Sequence, residues 1–122
     1  MDRSLKVALV TGGAHGIGAA IASRLASESW RVVVADIDAR GGVSSGGRFT
    51  ACDVSDESAV KALITGIAAQ EGRLDALVCN AGVNVRKPIS ELSLAEWLRV
   101  IGTNLTSTFL LVRASEHLLR AG

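Results

Sequence analysis

The segment Thr11–Gly18 (TGGAHGIG) follows a short apolar run and precedes a helix-like pattern. Gly12 allows a sharp turn out of a strand, Gly16 lets the backbone approach a bound group closely, and Gly18 lets the following helix pack tightly on a sheet. Free N–H groups at the start of that helix would point at an anion, which the helix dipole also favours. The spacing predicts a phosphate-binding turn, with an ordinary glycine-rich turn as the alternative. Its candidate binding residues are Gly12, Ala14, His15, Gly16, Ile17 and Gly18.

Asp36 follows the next apolar run, eighteen residues after Gly18. A carboxylate at that place can accept hydrogen bonds from both ribose hydroxyls of an adenosine and would repel a 2′-phosphate. Ile37 comes next and supplies no compensating cation, so the pattern favours NAD over NADP as the cofactor. A solvated loop carboxylate or a helix cap is the alternative for Asp36, and Asp38 competes weakly for the ribose role.

Composition and charge exclude several classes of function. Thirteen Lys and Arg against twelve Asp and Glu give a net charge of +1, and aromatic residues make up only 3%, so nucleic-acid or membrane-surface binding is not expected. No apolar segment is long enough for a signal peptide or a membrane span, so we expect a cytoplasmic protein. Cys52 and Cys79 suit neither a disulfide framework nor a metal site, and we expect two buried thiols.

Strand-like and helix-like patterns alternate along the chain. Val-rich or short apolar runs predict strands at Leu5–Val10, Trp30–Ala35, Arg48–Cys52 and Leu74–Cys79. Helical spacing predicts helices over Gly16–Ser27, from an N-cap at Ser55 to about Gln70, and after a capping box at Ser93 to Glu96. This order predicts an α/β fold, a Rossmann-type doubly wound parallel sheet with strand order 3-2-1-4.

The helical region Leu94–Leu119 is apolar on two faces. One stripe contains Leu94, Trp97, Leu98, Ile101, Leu105, Phe109 and Val112, and the opposite face contains Leu110, Leu111, Leu118 and Leu119. A helix that is apolar on both sides has two neighbours, so we expect one face on the sheet and the other in a homo-oligomer.

Five motifs in this order resemble the short-chain dehydrogenase/reductase family across all 122 residues, which match about the first half of a family member. They are Thr11-Gly-Gly-Ala-His-Gly-Ile-Gly18, Asp36, Cys52-Asp53-Val54, Asn80-Ala81-Gly82 and Thr103-Asn104-Leu105. The resemblance implies a nicotinamide dinucleotide cofactor and hydride transfer between an alcohol and a carbonyl compound.

The same resemblance implies roles for single residues. Asp53 and Val54 would contact the adenine, and Asn80–Gly82 would lie beside the ribose next to the nicotinamide. The backbone carbonyl of Asn104 would help to hold a water in a proton relay. Simpler readings stay open: Asp53 as a turn residue, Asn80 as a strand-ending turn and Asn104 as a polar kink or interface residue.

Two departures from the family pattern shape the functional expectation. The family's chemistry needs a tyrosine and a lysine four residues later, but these 122 residues contain no tyrosine, and the sequence stops at Gly122, before the expected fifth strand with its serine. A helix usually joins the second and third strands, whereas Ala39–Gly47 (ARGGVSSGG) reads as a loop. We therefore expect residues 1–122 to be one incomplete NAD(P)-binding Rossmann domain that lacks the catalytic half.

The leading prediction is the cofactor-binding half of an NAD-dependent oxidoreductase that is inactive alone, its alcohol or carbonyl substrate being bound only by a complete enzyme. A non-catalytic NAD-binding or interaction module, or a truncated gene product, is the first alternative. An S-adenosylmethionine-dependent methyltransferase also uses a glycine-rich first turn, but the spacing of Gly12, Gly16 and Gly18 argues against it.

Overall fold

The computed structural model describes residues 5–38 and 47–121. The strands are β1 (Val7–Thr11), β2 (Arg31–Asp36), β3 (Gly47–Ala51) and β4 (Ala76–Val78). The helices are α1 (Gly16–Ser27), α2 (Glu57–Gln70), α3 (Leu94–Ile101) and α4 (Ser107–Ala121), with a 3-10 turn at Ile89–Glu91 and a π-helical turn at Gly102–Thr106. The loop predicted for Ala39–Gly47 lies outside the described residues, except that Gly47 begins β3.

The four strands form a parallel sheet in the order β3-β2-β1-β4, which confirms the predicted topology. β1 is buried along its whole length because it has a strand on each side and helices on both faces. On one face, Ala22 of α1 packs with Val10, Val32 and Val34. On the other face, side chains of α2 and α4, including Ile67 and Leu111, pack against Leu9 and Val33. The carboxyl ends of β1 and β2 therefore meet at one open edge, where an open α/β sheet forms its ligand crevice.

The predicted element ends need small corrections, and one predicted helix cap is wrong. The observed strands begin or end one or two residues away from the predicted bounds. The N-cap of α2 is Asp56, whose carboxylate accepts the Ser58 N–H, and not Ser55. Ser55 is unavailable because its N–H and hydroxyl both donate to Asp53 Oδ1, at 3.0 and 2.7 Å. The end of α2 agrees with prediction, since Gly72 adopts a φ of 79°.

The helical region after residue 93 is continuous but changes to a π-helical turn in the middle. The predicted capping box is present, with Ser93 Oγ accepting the Glu96 N–H at 3.1 Å and Glu96 Oε1 accepting the Ser93 N–H at 3.0 Å. The π-helical turn then separates α3 from α4, which the apolar pattern did not indicate. Leu110 and Leu111 are buried on the sheet. The opposite stripe is exposed at Leu94, Trp97, Leu98, Leu105, Phe109 and Val112.

The two cysteines differ, and the expectation of two buried thiols is wrong for one of them. Cys52 is buried, whereas Cys79 is exposed because it follows β4, the last strand of the described sheet. Desolvation raises the pKa of the Cys79 thiol, and a hydrogen bond with Thr108 partly opposes that shift. Among residues 5–38 and 47–121, no helix combines the length and apolar character that a membrane crossing requires.

A partly buried ion pair joins the start of β3 to the residue that follows α2. Arg48 donates from Nε to Glu71 Oε2 at 2.9 Å and from Nη2 to Glu71 Oε1 at 2.8 Å. The Glu71 side chain is only 4% exposed, so its carboxylate depends on these two donors for the interactions that water would otherwise supply. The pair fixes the outer strand β3 against the helix that follows it.

Arg48→Ala should lower the free energy of unfolding by roughly 1–3 kcal/mol, because it leaves a buried acceptor without its partners. Arg24→Ala is the matched control, since its ion pair with Glu28 is largely exposed and contributes under about 1 kcal/mol. Urea unfolding followed by circular dichroism measures both. Equal effects of the two substitutions would contradict this account.

Candidate cofactor-binding site

The turn between β1 and α1 depends on glycine at three places. Gly12 adopts a φ of 64°, its N–H donates to Ala35 O at 2.8 Å, and an added Cβ would lie 2.9 Å from Ala81 Cα. A Cβ on Gly18 would lie 2.3 Å from Gly12 O, so Gly18 packs against the turn itself. Gly16 also has a positive φ, 57°, but a Cβ there would meet nothing within 4 Å. Gly12 and Gly18 close the turn, and Gly16 leaves space for a bound group.

The start of α1 keeps its first N–H groups free of side-chain partners. His15 is the N-cap in an extended conformation and makes no side-chain cap hydrogen bond, and no acidic residue lies in the first turn. Helix N-termini of this kind attract anions through their N–H groups and dipole. The start of α1 is therefore suited to bind a phosphate group.

The Thr11 hydroxyl joins the ends of β1 and β4. Thr11 is completely buried, and its Oγ1 accepts the N–H groups of Asn80 at 3.0 Å and Ala81 at 3.1 Å. Its own O–H donates to Val78 O at 3.4 Å. Asn80 adds a second connection, from its Nδ2 to Gly12 O at 3.1 Å. The segment after β4 is thus held directly against the glycine turn.

Asp36, at the end of β2, is held by two backbone N–H groups. Its Oδ2 accepts the Ala14 N–H at 3.1 Å and its Oδ1 accepts the Asp38 N–H at 2.9 Å. The His15 ring contacts the nearby Asp38, with Nε2 3.0 Å from Asp38 Oδ2. The two N–H groups fix the orientation of the Asp36 carboxylate next to the glycine turn. Each carboxylate oxygen retains capacity to accept a further hydrogen bond.

Cys52, Asp53 and Val54 follow β3 and form the next part of the wall. Val54 is buried, and Asp53 is held by its bonds from Ser55. Burial, helped by the charges of Asp53 and Asp56, raises the pKa of the Cys52 thiol to about 11. The thiol is therefore protonated at neutral pH, which excludes Cys52 as a thiolate nucleophile.

Asn104 lies in the π-helical turn and holds the loop after β4. Its Oδ1 accepts the Val83 N–H and its Nδ2 donates to Val83 O, both at 2.8 Å. A Cβ on Gly82 would lie 3.3 Å from Asn104 Oδ1, so a small residue suits that position. The side chain explains why asparagine occurs inside an otherwise apolar helical stripe. The relay expected of its backbone carbonyl stays a prediction.

These parts surround a cavity of about 510 Å³. Nearly all the predicted binding residues line it: Gly12, His15, Gly16, Asp36, Ile37, Asp53, Val54, Asn80, Ala81 and Gly82. Ala14, Ile17 and Gly18 do not; Ala14 and Gly18 instead build the turn, and the Ile17 side chain is 75% exposed. The described part of the chain contains no cluster of three or more His, Cys, Asp or Glu side chains suited to a metal ion.

Several lining residues were not predicted from the sequence. They are Ala35, Cys52, Ser55, Val83, Arg99 and Thr103. Cys52 and Thr103 belong to the quoted motifs, so their positions next to Asp53 and Asn104 in the sequence could have indicated them. Arg99 could not be predicted, because nothing in the helical pattern indicates that this polar position faces the cavity.

The sequence matches the short chain dehydrogenase family over residues 6–122. The chain belongs to this family. It is 43% identical to D-threitol dehydrogenase of Mycolicibacterium smegmatis in an alignment that covers 96% of this chain and 49% of that protein. The chain spans about half the length of the curated short-chain dehydrogenases that it matches.

Solved short-chain dehydrogenase structures have the same Rossmann fold. A metagenomic short-chain oxidoreductase in complex with NADP superposes with a TM-score of 0.87 at 39% identity, over 97% of this chain and 59% of that one. The 3-ketoacyl-(acyl-carrier-protein) reductase from Brucella melitensis complexed with NADH gives 0.89 at 28% identity, over 95% and 51%. The family and the fold expected from the motifs are both confirmed.

Thr11→Val should destabilise the short-chain dehydrogenase fold by roughly 1–3 kcal/mol, because the Asn80 and Ala81 N–H groups lose a buried acceptor. Thr11→Ser retains the hydroxyl and is the matched control. Urea unfolding measures stability, and amide hydrogen exchange by NMR should be accelerated at residues 80 and 81 in the valine variant. Unchanged exchange at both amides would show that Thr11 does not hold this segment.

Proposed function

We propose that residues 1–122 bind NAD as the cofactor-binding half of an oxidoreductase that interconverts alcohols and carbonyl compounds. The main observation behind the proposal is that the glycine turn, the fixed Asp36 carboxylate and Asn80–Gly82 all line the same cavity. The space beside Gly16 and the uncapped start of α1 suit a pyrophosphate. The residues present therefore fit a dinucleotide.

Each part of the cavity has a proposed role toward the cofactor. The N–H groups at the start of α1, Gly16–Gly18, bind the pyrophosphate, and Asp36 accepts hydrogen bonds from the adenosine ribose. Asp53 and Val54 contact the adenine, with Ile37 alongside. Asn80–Gly82 lies beside the ribose that carries the nicotinamide, which accepts or supplies the hydride when the cofactor is bound.

The preference for NAD over NADP is argued from Asp36. Its carboxylate is held in place by the Ala14 and Asp38 N–H groups, so it cannot easily turn away from a 2′-phosphate. Similar short-chain oxidoreductase structures contain NADP in one case and NADH in another. The family fold is thus compatible with both cofactors, and the charge at position 36 supports NAD here.

The complete reaction is proposed for a protein that also contains the family's serine, tyrosine and lysine. A relative of this chain is D-threitol dehydrogenase, and this similarity supports an alcohol substrate. Residues 1–122 include no tyrosine, so by themselves they would bind the cofactor without turnover. Asn104 would contribute to the proton relay of the complete site.

A non-catalytic module that binds NAD and associates with a second copy is the second candidate. The exposed apolar stripe of α3 and α4 favours it, because Leu94, Leu98 and Leu105 are each more than half exposed. Monomeric proteins rarely leave such a continuous apolar surface in water. We propose that the helical region Leu94–Leu119 forms a homo-oligomeric contact in either case.

NADH should bind residues 1–122 more tightly than NADPH in fluorescence titrations. Asp36→Asn should weaken NADH binding roughly 10- to 100-fold, because hydrogen bonds to a charged group are lost. The same substitution should reduce the preference for NADH over NADPH. Asp56→Asn is the matched control, since Asp56 caps α2 without lining the cavity and asparagine caps equally well.

No binding of either dinucleotide would contradict the proposed function. Equal affinities for NADH and NADPH in the unaltered chain would contradict only the assignment of NAD. Incubation with NAD and a panel of secondary alcohols should produce no NADH, and steady NADH formation would show that the missing tyrosine is not required.

Replacing Leu98 and Leu105 together by Asp should convert the oligomer to a monomer in sedimentation velocity, because charges would enter the apolar contact. Both side chains are exposed, so the fold should be retained. Ile89→Asp, at a position 83% exposed in the 3-10 turn outside this stripe, is the control. A monomeric unaltered chain would contradict the proposed contact.

A further inference from the structure

Arg99 is a cation in the wall of the cofactor cavity with no assigned role. It lies in the last turn of α3 and is exposed to the cavity and to solvent. In the described part of the chain, the Arg99 side chain makes no hydrogen bond or ion pair, whereas Arg48 and Arg113 are paired with Glu71 and Glu57. Its guanidinium is therefore available to a ligand.

The position of Arg99 is set by how α3 ends. Arg99 and Thr103 are four residues apart on continuous helical backbone, and both line the cavity. Gly102 lies so near Ser55 that an added Cβ would be 3.5 Å from Ser55 Cβ. The end of α3 thus stands beside the segment after β3, where the proposed function places the adenine.

The cavity lacks an obvious partner for the face of an adenine ring. Its lining by residues 5–38 and 47–121 includes no Phe, Trp or Tyr, and the apolar side chains described near this end are Cys52, Val54 and Ile37. Ile37 is 73% exposed and reaches the cavity from β2, whereas Arg99 reaches it from α3. A guanidinium is planar and stacks on aromatic rings, so Arg99 can supply the missing flat surface.

We propose that Arg99 stacks its guanidinium on the adenine ring and so helps to bind the adenosine half of the cofactor. This inference rests on the proposed function, because it requires adenine beside Asp53–Ser55. Asp53 forms no ion pair with Arg99 in the described part of the chain; its Oδ1 accepts the two bonds from Ser55. Arg99 is a binding residue in this proposal, with no part in the chemistry.

Calorimetry with AMP on the 122-residue chain tests the proposal. Arg99→Ala should weaken AMP binding roughly 3- to 30-fold, the range expected for a cation on an aromatic face. Arg99→Lys should remain weakened, because a lysine retains the charge without the planar group. Arg86→Ala is the matched control, since Arg86 is another exposed arginine and does not line the cavity.

The outcomes separate this inference from the proposed function. Arg99→Ala should weaken the binding of NADH by the same factor as the binding of AMP, because both ligands carry the adenosine group. Unchanged AMP affinity in the alanine variant, or full affinity in the lysine variant, would overturn the stacking role while leaving cofactor binding intact. Failure of the unaltered chain to bind either AMP or NADH would overturn the proposed function and this inference together.

Discussion

The hydrogen bonds of one buried hydroxyl hold the cavity together. Thr11 Oγ1 receives two backbone N–H groups from the segment after β4, and Asn80 returns a bond to Gly12 O. The backbone pairing of β1 with β4 extends to Val10 and Val78, and the side-chain bonds continue the connection beyond the ends of the two strands. The glycine turn and the segment Asn80–Gly82 form one wall because these bonds join them. The rest of the cavity is arranged around that wall.

The polar groups around the cavity are positioned before any ligand arrives. Asp36 is oriented by two backbone N–H groups, Asp53 by Ser55, and the loop at Val83 by the side chain of Asn104. Groups that are already ordered lose little conformational entropy on binding, which favours affinity. The exposed side chains at the rim, such as Ile37 and Arg99, are the parts still free to adjust.

The sequence was sufficient for the strand order, the capping box at Ser93 and the glycine turn with Asp36, because apolar runs, cap residues and glycine spacing indicate them. The lining by Asp53, Val54 and Asn80–Gly82 was implied by the family resemblance of their motifs. The sequence was insufficient where two nearby residues compete. Ser55 and Asp56 are both good helix caps, and the bond from Ser55 to Asp53 decides between them. Arg99 and the exposed Cys79 depend on which elements become neighbours in three dimensions, which periodicity does not specify.

The π-helical turn at Gly102–Thr106 contains, in effect, one residue more than an α-helix would need. If these five residues instead continued the α-helix, the extra residue would rotate everything downstream by about 100°. Leu110 and Leu111 would then leave the sheet, while Arg99 and the capping box would stay where they are. The π-helical turn therefore sets the phase between the half of the helical region that faces the cavity and the half that covers the core. Deleting one residue within the turn should convert it to a regular α-helix and preserve that phase, whereas deleting one from α4 ahead of Leu110 would rotate the buried face off the sheet.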